Sequence, residues 1–145
     1  MYPKLLVVLQ FGLIAMMIYF SKGLQVFIDD TFALPVFLMG LSFGLWALNH
    51  NQLGNFHIRP KLKENSQLIT TGIYQFIRHP MYSSVIIMMF AVLISTPSVI
   101  EIILFTLLIA VLVLKALKEE SLWMDHDETY NEYRKKSKLF IPYIL

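Results

Sequence analysis

Arg78, His79 and Pro80 stand directly against a long apolar run, with Tyr74 and Tyr82 on either side. Pro80 suits the first turn of a helix, where no backbone N–H is needed. A helix starting there exposes free N–H groups around Met81 to Ser83 beside Arg78 and His79, which together can hold an anion. After the next apolar run comes the acidic pair Glu119-Glu120, with Lys115 one helical turn before it. Two carboxylates can bind an ammonium, and Lys115 can meet the carboxylate of a second ligand. Each group also has a plainer reading. Arg78 and the tyrosines can anchor a helix at a lipid surface, and Lys115–Glu119 can be a solvated i,i+4 pair worth a few tenths of a kcal/mol. With no cysteine in the chain, disulfides, thiolate nucleophiles and thiolate metal sites are excluded.

The elements that must position these groups are unusually apolar. Of the 145 residues, 57% are hydrophobic and only 15% charged, where a soluble domain carries about 25% charge; mean hydropathy is +0.61. The apolar residues are clustered. Leu5 to Phe20 is broken only by Gln10, and Phe32 to Leu48 only by Ser42. Met81 to Ser95 and Val99 to Leu114 are as greasy, interrupted chiefly by Ser83, Ser84 and Glu101. Each run is slightly shorter than the roughly 20 residues of a spanning helix, and flanking residues can supply the rest. The pattern predicts one all-α integral-membrane domain over 1–145, with four transmembrane helices at about 5–27, 31–48, 80–96 and 98–115. A signal peptide fits the first run poorly: "YFSKGLQVF" offers no small-x-small cleavage site and three further runs follow.

Charge placement orients the bundle. Four spans put the N-terminus, the 49–80 segment and the C-terminal tail on one side. That side collects Lys4, then Arg59, Lys61, Lys63 and Arg78, then Lys115, Lys118, Arg134, Lys135, Lys136 and Lys138. Only Lys22 lies opposite, so the positive-inside rule places both termini in the cytoplasm. "STPS" at 95–98 makes a tight turn around Pro97, predicting a hairpin of the third and fourth spans. The tail continues the fourth span as a cytoplasmic amphipathic helix, with Lys115, Glu119, Leu122, His126, Tyr130 and Tyr133 near one face. Its end, "LFIPYIL", can dip into the membrane or cap a pocket. Membrane lipids and a hydrophobic small molecule are the expected partners, and no nucleic acid is expected. A haem or metal carrier would have to use His50, His57, His79 and His126, but no HxxxH or HxxE pair lies within a span; no metal site is predicted. A non-catalytic four-span scaffold is the other reading outside enzymology.

The order "GxYxxxRHPxY", hairpin, "EE", "YxxY" with basic residues resembles the isoprenylcysteine carboxyl methyltransferase family, within the wider group that includes the phospholipid N-methyltransferases. The residues are "LITTGIYQFIRHPMYSS" (68–84), "KEESL" (118–122) and "ETYNEYRKKSKLFIP" (128–142), roughly the C-terminal half of the chain. The resemblance implies methyl transfer from S-adenosylmethionine, with the cofactor and catalytic region at 66–145. Tyr74 and the run His79-Pro80-Met81-Tyr82 match the family's cofactor segment, to which Arg78 belongs by position. Ser66, Gln67, Leu68 and Ile69 match a piece that touches the cofactor mostly through backbone. Glu119 or Glu120 matches its cofactor-binding glutamate, and Lys115 falls where the family has an arginine facing the substrate carboxylate. Lysine there lacks the bidentate fork of arginine, and the "WMDHDETY" link is one residue shorter than the family's. The implied acceptor is a lipidic or prenylated carboxylate, with Lys115, Glu119 and Glu120 as its catalytic set. The alternative is a phospholipid or other amine, for which Glu119, Glu120 or His79 is the candidate base.

Overall fold

A computed structural model describes residues 3–50 and 68–141 of the chain. The described residues are all-helical apart from one isolated backbone bridge. Helix α1 spans Pro3–Phe20, α2 Leu24–Asp29 and α3 Ala33–His50. A short 3-10 helix, Gly72–Gln75, then leads to α4 (Pro80–Ser95), α5 (Val99–His126) and α6 (Tyr130–Lys136).

The breaks follow from local chemistry. Ser21, Lys22 and Gly23 follow α1 in succession, two polar residues and a poor helix former. The first apolar run therefore ends at Phe20 and restarts as α2, rather than reaching the expected residue 27. Asp30 Oδ1 accepts hydrogen bonds from the backbone N–H groups of Phe32 and Ala33, at 2.9 and 2.7 Å, and so opens α3. Pro80 starts α4 in the first-turn position read from the sequence. Ser98 caps α5 by accepting from Glu101 N–H at 3.2 Å. Glu101 itself is buried in that first turn, where the positive end of the helix dipole offsets part of the cost of burying its carboxyl group.

The outside of this bundle is apolar. Leu5, Val8, Phe11 and Ile18 on α1, Leu38, Met39 and Leu45 on α3, and Val99, Ile102, Ile103 and Leu107 on α5 are all exposed. So broad an apolar exterior is the surface of a protein that meets lipid or a partner. Among the described residues two helices, Ala33–His50 and Val99–His126, are long and apolar enough to cross a membrane. This corrects the expectation of four spans by length. The other apolar helices, Lys4–Phe20 and Pro80–Ser95, are shorter, α1 because it breaks at Ser21 and α4 because Pro80 and Pro97 bound it.

Inside, Met17, Met89, Val92, Leu104, Leu108 and Leu112 form the main core, joined by Ala116 and Phe140. The turn at Pro97 joins α4 and α5, which touch each other, while α4 packs most extensively on α3 and α5 on α1. Gly44 permits the approach of α4 to α3: a Cβ there would stand 2.3 Å from Ser84 Oγ. With Gly40 it makes a GxxxG stripe, the small-residue spacing that lets membrane helices touch.

A second correction concerns the tail. The 3.6-residue periodicity runs on through Tyr130 and Tyr133, yet α5 stops at His126. Asp127 Oδ1 accepts from both the N–H and the hydroxyl of Thr129, at 2.8 and 2.6 Å. That local turn competes with continued helix. The chain reverses into α6, and Tyr130 stacks back on Trp123 with ring centroids 6.1 Å apart.

Candidate functional site

The site forms where the start of α4, the C-terminal part of α5 and the chain after α6 converge. Gly72, at φ 59, turns the chain out of the Thr70–Thr71 stretch and lies so close to the His50 imidazole that a Cβ would stand 2.3 Å from Nε2. The 3-10 helix then buries Ile73 and Tyr74 against Ala47 of α3, with Ile69 and Met81 packed alongside. This sets the direction in which Arg78 and His79 leave for α4.

Residues 137–141 run back over that segment as a strap. Ile77 and Lys138 form a parallel bridge. Arg78 N–H donates to Lys138 O at 2.7 Å and His79 N–H to Leu139 O at 3.1 Å, while Lys138 N–H donates to Phe76 O at 2.9 Å. Ser83 Oγ donates to Phe140 O at 2.7 Å. The Phe140 ring, buried, lies edge-on to His79 and Tyr82.

Beneath the strap the charged groups interlock. Arg78 Nε donates to Glu120 Oε1 at 2.5 Å, and its Nη1 donates to the carbonyls of Ser137 and Arg134. Arg78 therefore binds the acid of α5 to the returning tail. Glu120 Oε2 lies 3.2 Å from Arg134 Nε. That contact lacks hydrogen-bond alignment, since Oε2 has no hydrogen-bond partner among the described residues. Arg134 is half-exposed, so this pair contributes little. His79 stands between the two acids, Nδ1 3.4 Å from Glu119 Oε2 and Nε2 3.5 Å from Glu120 Oε1. Its ring stacks on Tyr82, 7° from parallel, and Tyr82 OH donates to Glu119 Oε1 at 2.5 Å.

Lys115 completes the cluster from a buried position, 3% exposed. Its Nζ lies 5.0 Å from the Tyr82 ring centroid and donates to Gln10 Oε1 at 2.5 Å. Tyr133 OH donates to Tyr74 O at 2.6 Å. Burial pushes the Tyr133 phenol up to about 12 and, with Tyr133 and Glu119 near it, the Tyr74 phenol higher still, so both remain neutral hydroxyls.

His79 gives the cluster a pH signature. Burial alone would favour neutral imidazole, but contacts with Glu119 and Glu120 outweigh it and raise the pKa above the ordinary 6.5. A raised folded-state pKa contributes stability that is fully present below 6.5 and is lost as pH rises through the folded value. The thermal midpoint of the detergent-solubilised chain should therefore fall as pH is raised from about 6.5, and His79→Gln should remove that fall. A midpoint equally pH-dependent in His79→Gln would assign the effect to another group.

Of the residues singled out in the sequence, Arg78, His79, Pro80, Tyr82, Lys115, Glu119 and Glu120 come together here. Tyr74 and Met81 lie on the flank facing α3, with Ile69 beside them and Leu68 just before. Ser66 and Gln67 lie outside the described residues, as does His57. Among the described residues no three His, Asp or Glu side chains group as a metal would require. Gln10 is not among the site residues expected from the sequence, although it leaves a signal as the one polar residue in Leu5 to Phe20. The apolar end "LFIPYIL", expected to dip into the membrane or cap a pocket, supplies Leu139 to Ile141 of the strap, and its remaining residues lie outside the described ones.

The model of the phospholipid methyltransferase family matches residues 30–132, more than half of the chain. The chain belongs to that family. No curated protein matches it at a significant level. The matched span holds both halves of the charged cluster, Arg78–Tyr82 and Lys115–Glu120. Gln10, Arg134 and the strap lie beyond it. The match is to the wider membrane methyltransferase group and does not extend to the narrower carboxyl methyltransferase family.

Proposed function

We propose that this phospholipid methyltransferase family member transfers the methyl group of S-adenosylmethionine to the carboxylate of a lipidic or prenylated acceptor at the cytoplasmic membrane face. The observation that carries the reading is the buried convergence of Lys115, Tyr82, Glu119 and His79 at the basic end of an apolar bundle. When bound, S-adenosylmethionine supplies a methyl group on a sulfonium, which needs neither metal nor covalent enzyme intermediate to leave.

The cluster suits such a zwitterionic, aromatic donor. Glu119 keeps 23% of its side chain exposed, and His79 Nε2 and Glu120 Oε2 are buried without hydrogen-bond partners among the described residues. Donor and acceptor capacity is thus left over. Glu119 would take the ammonium end, His79 the carboxylate, and the faces of Tyr82 and Tyr74 the cationic or aromatic parts. The strap and Phe140 keep water from the cluster, where alignment and desolvation supply several kcal/mol. Lys115 offers an ammonium to the acceptor as a point charge. A carboxylate acceptor is already ionised and needs no general base.

The second reading is N-methylation of a phospholipid amine, favoured by the description of the matched family. Glu119, hydrogen-bonded to Tyr82 and the more exposed of the two acids, would then accept the proton. Membranes containing the full chain, incubated with methyl-labelled S-adenosylmethionine, decide between them. Base-labile label in the lipid fraction is the ester expected here, and base-stable label is the amine product. No chain-dependent label in any extract would contradict both.

In this reading all four apolar helices sit in the bilayer with both termini cytoplasmic, the shorter two covered by neighbours and thinner lipid. Single cysteines introduced into this cysteine-free chain check the orientation. Gln25→Cys should react with an impermeant thiol reagent outside intact cells and Lys136→Cys should not. The opposite pattern would turn the site to the wrong face.

A further inference from the structure

We infer that Gln10, on α1, is a positioning residue of the acceptor site: its amide oxygen draws the Lys115 ammonium inward, so that the site recognises an anionic acceptor. The inference rests on the proposed carboxylate methylation and deepens it.

A lysine near the end of an apolar helix ordinarily snorkels, its flexible stem carrying the ammonium out to the lipid headgroups. Lys115 does not. Its side chain turns inward and is buried, held by two groups from two other helices: Gln10 Oε1 at 2.5 Å from α1, and the face of Tyr82 at 5.0 Å from α4. An ammonium has donors only, so the amide must present its oxygen to Lys115. Gln10 is itself only 7% exposed, and a buried amide without a partner is destabilising. The two groups satisfy each other, and neither position would tolerate its partner's loss cheaply.

The direction of this contact has a chemical consequence. Tyr82, under the ammonium, donates to Glu119, which stands beside His79. Gln10 therefore aims Lys115 at the cluster proposed to hold the methyl donor. An uncharged partner leaves the lysine's positive charge available, whereas a carboxylate at position 10 would neutralise it. Helix α1 lies before the residues matched by the family model, so it adds acceptor selectivity to a donor site built by α4 and α5.

The test uses the full chain in lipid nanodiscs, with N-acetyl-S-farnesylcysteine as the carboxylate probe. Probe binding is measured by titration with S-adenosylhomocysteine bound, and probe methylation separately, by turnover with S-adenosylmethionine as the methyl donor. Gln10→Leu should weaken probe binding and raise KM about tenfold, with kcat nearly unchanged. S-adenosylhomocysteine affinity should stay within about twofold of wild type, because Gln10 acts only through Lys115. Gln10→Glu, nearly identical in shape, should weaken the probe more than Gln10→Leu does, a difference that packing alone would not produce. Lys115→Met should lose the same binding, and adding Gln10→Leu to it should cost nothing more. Wild-type protein that binds and methylates the probe, with Gln10→Leu and Gln10→Glu equal to it, overturns the inference and leaves the proposed reaction standing. Wild-type protein that neither binds nor methylates the probe overturns both.

Discussion

Glu120→Ala should be the most damaging single substitution in the site, lowering the thermal midpoint by roughly 10 °C and freeing the C-terminal strap. The Glu120 side chain is 2% exposed, and its Oε1 receives Arg78 Nε at 2.5 Å. Removing it leaves the Arg78 guanidinium, itself only 9% exposed, without its counter-charge. Breaking a buried pair from one side costs about 3–5 kcal/mol. Arg78 also holds the carbonyls of Arg134 and Ser137, so an unbalanced Arg78 that shifts toward water takes the strap with it. Trypsin should then cut within Arg134–Lys138 far faster than in wild type. The double variant Arg78→Met/Glu120→Leu should recover much of the lost midpoint, because an apolar pair carries no unpaired charge. An unchanged midpoint and unchanged tryptic rate in Glu120→Ala would show that the pair does not hold the tail.

Glu119→Ala should have the opposite profile: a stable protein that no longer holds the donor. Glu119 is adjacent in sequence but points toward Tyr82 and His79 rather than Arg78, and part of its carboxylate remains accessible. Hydrogen bonds to a charged group contribute about 1.5–3 kcal/mol. S-adenosylhomocysteine affinity should therefore fall by roughly 100-fold, the upper part of that range, while the thermal midpoint moves little. Glu119→Gln should lie close to Ala for binding, since it keeps the acceptor oxygen for Tyr82 but loses the charge. Tyr82→Phe should fall between Gln and wild type. Wild-type affinity in Glu119→Ala would remove this acid from the donor site.

The contrast between two neighbouring glutamates marks the limit of what the chain discloses before folding. Proline punctuation made α4 and the turn before α5 legible, and with them the approach of Arg78-His79 to Glu119-Glu120. Both acids matched one expected role, because spacing alone cannot say which way two side chains about 100° apart on a helix will point. The tail misled for a different reason. Its periodicity is genuine, but one side-chain cap at Asp127 ends α5, so Tyr130 and Tyr133 reach the site from a separate helix. The packing of α4 on α3 could not be read from the turn at Pro97, since it depends on Gly40 and Gly44 letting α4 come close across the bundle. Gln10 was visible as a lone polar residue, but its meaning required Lys115, 105 positions away, to arrive beside it.

The most direct test of the central claim, that the methyl donor binds where α4 begins and α5 ends, is photocrosslinking. Purified full chain in nanodiscs is irradiated with methyl-labelled S-adenosylmethionine, and the labelled peptides are mapped by mass spectrometry. Saturable labelling, competed by S-adenosylhomocysteine, is expected in peptides covering Leu68–Tyr82 or Lys115–Leu122, and it should disappear in Glu119→Ala. Labelling confined to α1 to α3, or labelling that S-adenosylhomocysteine does not displace, would contradict it.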